Sequence, residues 1–293
     1  MGLRDWFSDF CENLRVRDGG TIASRYKAIT RRLNTDFWNT TSDTSHSLYV
    51  GSYGRNTAIT GFSDLDMVFE LPPSLYFTYD AYEGNGQSAL LQSVRNSMQR
   101  TYPTSSVGGD GQVVVVGFTD GITFEVVPVF TNKAGSYTYP DSNGGGKWRM
   151  SNPRPEISAI RDRNARSNKN LVWLCRMMRS WNERWNVAMG GLLIDTLAYQ
   201  FMADWQYREK SFLYYDWISR DFFRFMADQD KSKTYWKAPG SGQHVHSKGR
   251  FQYKATRCYN LACEAISNER ADPKREWSAK QRWREIYGSK FPS

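Results

Sequence analysis

Apolar positions along the chain change period near the middle. In the first half, 1–16 (MGLRDWFSDFCENLRV) reads as an amphipathic helix with charges throughout. From Thr21 to Trp38, Ile22, Tyr26, Ile29, Leu33 and Phe37 recur at steps of three or four and predict a second helix. A polar Thr/Ser stretch then leads into a short strand, Leu48-Tyr49-Val50. From Ser63 to Phe69 the period becomes two, which predicts a strand with Asp64 and Asp66 on one face and Leu65 and Met67 on the other. A helix is expected over 88–102. Two strands follow, Val113–Val116 and Ile122–Phe130, separated by the turn Thr119-Asp120-Gly121. The stretch 133–147, with Gly144-Gly145-Gly146, reads as a loop between two lobes.

The second half is helical. Asn152-Pro153-Arg154-Pro155 reads as an irregular entry to a helix over 156–164. Helices are expected over 171–185 (Leu174, Met178 and Trp181 on one face), 192–207, 214–228 and 251–268, with Gly190-Gly191 as a break. The stretch 231–250 reads as an exposed loop, and a basic, Trp-containing tail closes the chain. The aromatic stripe Trp217, Ile218, Phe222 and Phe225 reads as core. The pattern predicts an α+β protein with lobes at 1–150 and 151–293.

Charge narrows the ligand. With 39 basic and 30 acidic residues the net charge is +9, which suits an anionic ligand, either a polymer or nucleoside triphosphates. There is no run of about 18 apolar residues, so no membrane span is expected. The first helix lacks the uninterrupted apolar core of a signal peptide, and a cytoplasmic protein is expected. Cys11, Cys175, Cys258 and Cys263 are scattered, and reduced thiols are expected. The spacings of His244 and His246 to Cys258 and Cys263 fit no common zinc finger.

The chemistry concentrates in Val50–Glu70. Two carboxylates on one face of a buried strand repel unless a positive charge lies between them, and hard oxygen ligands suit a divalent cation such as Mg²⁺ or Mn²⁺. Gly51 allows close backbone approach to a ligand, and Ser52 offers a hydroxyl and an N–H to a phosphate. Glu125 is an acid in an otherwise apolar strand, followed by Val-Val-Pro.

Apolar-Gly-Ser, eleven further residues, then Asp-apolar-Asp-apolar resembles the signature of the DNA-polymerase-β-like nucleotidyltransferases, whose third carboxylate lies on a neighbouring strand. Leu174-Cys175-Arg176-Met177-Met178-Arg179-Ser180-Trp181 resembles the helix of 2′-5′ oligoadenylate synthetases and cyclic GMP-AMP synthase in which a Lys contacts the triphosphate; Arg179 takes that place here. Gly191–Leu197 resembles the helix that follows, with Asp195 as its acidic residue. The ordered set from about 21 to 268 resembles the bacterial CD-NTases, or SMODS nucleotidyltransferases.

The resemblance implies a polymerase-β-like core, a mixed sheet with helices, joined to a helical lobe, with the active site in the cleft between them. Asp64, Asp66 and Glu125 would be catalytic and would hold two Mg²⁺ (or Mn²⁺) ions. Gly51, Ser52, Lys169 and Arg179 would bind nucleotide phosphates, with Arg176 as a further candidate. Asn164 and Tyr199 are the base-recognition candidates, from an Asn-rich segment (Asn164, Asn168, Asn170) and an expected stacking ring for which Tyr235 is an alternative. The expected activity joins ribonucleoside triphosphates into a cyclic di- or trinucleotide signal for antiviral defence, read by a downstream effector. A linear oligonucleotide synthase, an RNA-tailing enzyme and an inactive nucleotide-binding sensor are the alternatives. Neither a zinc thumb nor an RNA-binding module is visible, so no stable nucleic-acid partner is expected.

Overall fold

The computed structural model describes residues 3–61, 64–103 and 105–293, and Ser63, read above as the head of a strand, lies outside them. Two compact units are present: 17–54 with 61–154, and 1–16 with 55–60 and 155–293.

In chain order the elements begin with α1 (Leu3–Leu14), α2 (Gly19–Trp38), β1 (Ser47–Tyr49), the single turn α3 (Gly51–Gly54), β2 (Asp64–Glu70), α4 (Pro73–Asp80) and α5 (Gly86–Thr101). Then come β3 (Ser106–Asp110), β4 (Val113–Gly117), β5 (Thr123–Thr131), β6 (Tyr137–Asp141), β7 (Lys147–Ser151) and α6 (Pro153–Arg166). The chain closes with α7 (Asn170–Trp185), α8 (Gly191–Asp204), α9 (Tyr215–Ala227), β8 (Tyr235–Lys237), β9 (His244–His246), α10 (Gln252–Arg270) and α11 (Glu276–Tyr287).

The first unit is built on a mixed sheet ordered β1-β2-β5-β4-β3, with β6 paired to the far end of β5 and β7 to β6. Among the described strands only β2 and β5 run parallel. Leu65, Met67 and Phe69 of β2 lie on the same face as Phe124 and Val126 of β5 and Val114 and Val116 of β4, and all seven are buried. The period-two pattern thus has its apolar set on one face, as pleated strands require. α2 and α5 pack together in this unit, contributing Ile29, Leu33, Leu90, Val94 and Met98 to its interior.

The stretch 133–147, read as an open loop, contains β6. Its strand pairs with Phe130 and Thr131 of β5 and then turns back through Gly144–Gly146, all three at positive φ, into β7. The supposed irregular entry at Pro153 is the first turn of α6, where a proline's missing N–H costs nothing.

The second unit is helical around an aromatic core of Phe7, Phe10, Trp181, Phe222, Phe223, Trp236, Phe251, Trp283 and Tyr287. Phe7 of α1 meets Trp283 and Phe291 edge-on, with ring centroids 5.1 and 5.4 Å apart. The closing basic tail is therefore a helix, α11, that buries Ala279, Trp283, Ile286 and Tyr287. The stretch 231–250 holds the hairpin β8–β9, which buries Trp236 and Val245 and turns Tyr235, Lys237, His244 and His246 outward. Among the described residues, no helix is long and apolar enough to cross a membrane.

Candidate active site

The register of the parallel pair decides which acids share a face. Asp66 lies opposite Glu125 and Asp64 opposite Thr123, so the carboxylates of Asp64, Asp66 and Glu125 leave the sheet on one side. Val115 of β4 flanks Glu125 on that side. The buried Met67, Phe124 and Val126 on the other side hold the strands in this register, because a one-residue slip would exchange the two faces. Asp64 is exposed, while Asp66 and Glu125 are half-buried.

The Gly-Ser turn packs onto the same strand. The Val50 amide donates to the Asp66 carbonyl at 2.9 Å, and Gly54 closes the turn with 2.8 Å to the Val50 carbonyl. Gly51 has φ +59°, and a Cβ there would collide with the Asp66 carboxylate, lying 2.5 Å from its Cγ. Glycine is thus required twice, for its backbone angle and for the space that Asp66 occupies. This brings Gly51, Ser52, Asp64, Asp66 and Glu125 into one constellation.

At the far end of the same face, Glu70 is already neutralised. Tyr137 and Arg154 donate to its Oε1 at 2.7 and 2.8 Å. Burial opposes its charged form, but these two bonds, with Thr131 and the Arg154 charge, outweigh it and hold the carboxyl below its usual range.

The donor set suits a hard divalent cation. All three groups are carboxylates, and two of them are registered neighbours. Among the described residues, no three of His, Cys, Asp and Glu form a ready-made metal cage. Ions of the Mg²⁺ type are typically held by one or two carboxylates together with substrate phosphates, so these residues fit a site completed by its nucleotide.

The remaining sequence-predicted residues belong to the helical unit. Lys169 is exposed at the head of α7, at φ +65°. Asn164 caps that helix: its Oδ1 accepts from the Val172 amide at 3.0 Å, and its carbonyl accepts from the Lys169 amide at 2.9 Å. Asn170 is held by the carbonyls of Arg208 and Lys210 at 2.8 and 2.7 Å and by the Tyr215 hydroxyl at 3.0 Å. The Asn-rich segment thus fastens the start of α7. Tyr199 is half-buried, with the Arg163 guanidinium 3.9 Å above its ring. Tyr235 stacks on His244 at 4.0 Å on the outer face of the β8–β9 hairpin.

Arg179 is enclosed rather than displayed. Its Nη1 and Nη2 grip both oxygens of Asp195 at 2.6 and 2.9 Å and also reach the carbonyls of Cys175 and Gly191, both at 3.3 Å. Asp195 is fully buried and also accepts from Arg55 Nε at 2.8 Å and from the Thr57 hydroxyl at 2.9 Å. Burial alone would raise its carboxyl pKa, but Arg179 and then Arg55 outweigh burial and hold it well below the usual carboxylate range. Arg176 donates to Asn56 at 2.9 Å. In the sequence, Arg55 and Thr57 are marked only by the short Thr57-Ala58-Ile59 run inside an otherwise polar loop.

Comparison with known proteins agrees with this architecture. A probable cyclic nucleotide synthase of Bacillus cereus is 21% identical over 180 residues, 58% of this chain and 52% of that protein, so the chain spans about half the length of this curated relative. The solved structure of E. coli CdnC in its complex with HORMA-deltaN superposes with a TM-score of 0.70 at 15% identity, over 99% of this chain and 98% of that one. CdnG of Bradyrhizobium diazoefficiens, solved with GTP, gives 0.67 at 12% identity over 97% and 94%. Vibrio cholerae DncV in its apo form gives 0.64 at 16% identity over 84% and 69%. At such identities the structural likeness speaks for the fold alone, which is the polymerase-β-like fold of the CD-NTases. The sequence model of the Second Messenger Oligonucleotide or Dinucleotide Synthetase domain matches residues 1–164, more than half of the chain, and the chain belongs to that family.

Proposed function

We propose that this protein joins ribonucleoside triphosphates into a cyclic di- or trinucleotide second messenger of anti-phage (CBASS-type) signalling, read by a downstream effector. A ribose hydroxyl attacks an α-phosphate and pyrophosphate leaves. The observation that carries this reading is the placement of Glu125 beside Asp66 on the face that Asp64 shares, under a Gly51-Ser52 turn with room for the Asp66 carboxylate.

Asp64, Asp66 and Glu125 would hold Mg²⁺ or Mn²⁺, as two ions, which when bound lower the pKa of the attacking hydroxyl and neutralise charge on the leaving pyrophosphate. Glu125 takes the hydroxyl proton, since its carboxylate is the third acid on that face. The Gly51–Ser52 backbone and the Ser52 hydroxyl bind the β- and γ-phosphates. Lys169, an exposed cation at the head of α7, is proposed as a further ligand of the triphosphate. Arg179, whose guanidinium is committed to Asp195, serves that step by fixing α7 against α8. Asn164 and Tyr199 are the residues proposed for base recognition, Asn164 through its side-chain amide and Tyr199 through its ring, which Arg163 faces.

The test is to incubate the purified chain with all four ribonucleoside triphosphates and Mg²⁺ or Mn²⁺, treat with phosphatase, and identify products by mass spectrometry. A phosphatase-resistant species with the mass of a cyclic di- or trinucleotide is expected. Phosphatase-sensitive ladders would replace this reading with a linear synthase, and absence of any product under all conditions would count against turnover by the isolated chain.

A further inference from the structure

Residues 55–60 stand in sequence between the Gly51-Ser52 turn and β2, yet they pack with the helical unit. They are held at four points there. Arg55 and Thr57 both donate to Asp195 Oδ2, at 2.8 and 2.9 Å. Asn56 Oδ1 accepts from Arg176 Nη2 at 2.9 Å. Ile59 is 1% exposed in the aromatic core. The Thr60 amide donates to the Leu14 carbonyl at 3.1 Å.

Fold stability alone does not call for a charged anchor at this place. Taking two guanidinium groups and a carboxylate out of water is expensive, and well-packed apolar side chains often serve stability as well or better. What the charges provide is direction. Four donor contacts from three residues converge on the Asp195 carboxylate, and Arg179 grips both of its oxygens, so the orientation at which it receives Arg55 is defined. Arg55 follows directly on Gly54, the last residue of the turn that carries Ser52. A fixed Arg55 therefore limits the conformations open to Gly51–Gly54.

We propose that Arg55, held by Asp195 and Arg179, is a positioning residue for nucleotide binding: it fixes the strap 55–60 and through it the phosphate-binding turn that directly precedes it. The proposal rests on the nucleotidyltransferase reading given above. Misplacement of reacting groups by about 1 Å can cost on the order of a hundredfold in rate, so loss of the anchor has an effect out of proportion to the contact removed.

The experiment compares wild type with Arg55→Ala and with Leu261→Ala, a core truncation in α10 that serves as the stability control. Melting temperature, binding of non-hydrolysable ATP and GTP analogues, KM and kcat, and amide hydrogen exchange over 51–60 are read for each. Arg55→Ala is expected to weaken analogue binding and raise KM by about tenfold or more. It is also expected to lose exchange protection over 51–60 specifically, and millimolar guanidinium added to it should restore part of the binding. Leu261→Ala should lower the melting temperature without either local effect. Exchange over 51–60 in Arg55→Ala no faster than in Leu261→Ala would overturn the proposal, whatever the chain's activity. Unchanged analogue binding in Arg55→Ala would overturn it as well. Should wild type bind neither analogue and make no product, the nucleotidyltransferase reading fails, while the exchange comparison still decides whether Arg55 holds the strap.

Discussion

Asp66 and Glu125 are registered partners on the two parallel strands of the sheet, with their side chains on the same face and the buried pair Met67 and Val126 next to them on the other. Two like charges at neighbouring positions of a sheet are destabilising unless something compensates them. Glu70, further along the same face, is compensated by Arg154 and Tyr137 within the protein. The Asp66–Glu125 pair lies beside the Gly51-Ser52 turn, and it is there that the proposed mechanism places its divalent cation.

Substitution of Asp64→Asn together with Asp66→Asn is expected to abolish product formation, by at least about a hundredfold as for loss of a directly acting group. The melting temperature should change little, because the amide keeps the volume of the acid it replaces. Product assay and thermal melt on the same preparation check both halves.

Gly51→Ala is expected to lower both stability and activity. Its positive φ alone costs a non-glycine residue about 1–2 kcal/mol, and the new methyl would take the space of the Asp66 carboxylate. A melting temperature lower by several degrees, with product formation reduced to near background, is the expected result.

Asp216, in the first turn of α9, makes stability depend on pH. Burial pushes its carboxyl up to about 6 against the usual 3.8; the Trp217 amide and the nearby Arg270 and Arg220 lower it but do not outweigh burial. In the folded protein this acid holds its proton to higher pH than in the unfolded chain. Its stabilising contribution is therefore full below about pH 4 and is lost as pH rises to about 6, by up to about 3 kcal/mol. Asp216→Asn should then raise the melting temperature at pH 7.5 and leave it nearly unchanged at pH 4, which a pair of melts determines.

Trp283 sits in the core between Phe7 and Tyr287, and its Nε1 is buried with no hydrogen-bond partner among the described residues. Trp283→Phe keeps most of the ring and removes an unpaired donor, so a small change is expected. Trp283→Ala opens a cavity and should cost about 3–5 kcal/mol. Denaturant titration of both variants separates the two outcomes.

What could be read from the sequence follows from periodicity. The alternation through Asp64–Phe69 and the lone acid in the apolar Glu125 strand are local patterns, and they led directly to the shared face. The helices of the second half were legible for the same reason. β6, β7 and the β8–β9 hairpin were missed because each is at most five residues long and joined by glycine-rich turns that look like loop. The closing helix α11 was missed because five basic residues on 274–284 masked Ala279, Trp283 and Ile286 at steps of four and three. The Asp195 anchor has no periodic signature at all. Arg55 and Asp195 stand 140 positions apart, and a charge pair at that separation is set by the fold. For Arg179, residue type and helix position were legible, but the partner of its guanidinium was not.

The most direct measurement is pyrophosphate release from ribonucleoside triphosphates by wild type and Glu125→Gln, assayed side by side in Mg²⁺ with folding checked by circular dichroism. The carboxylate-face account predicts steady release by wild type, matched to the bonds found in the product, and a loss of at least about a hundredfold in the isosteric variant with its fold intact. Equal rates from the two proteins would contradict it.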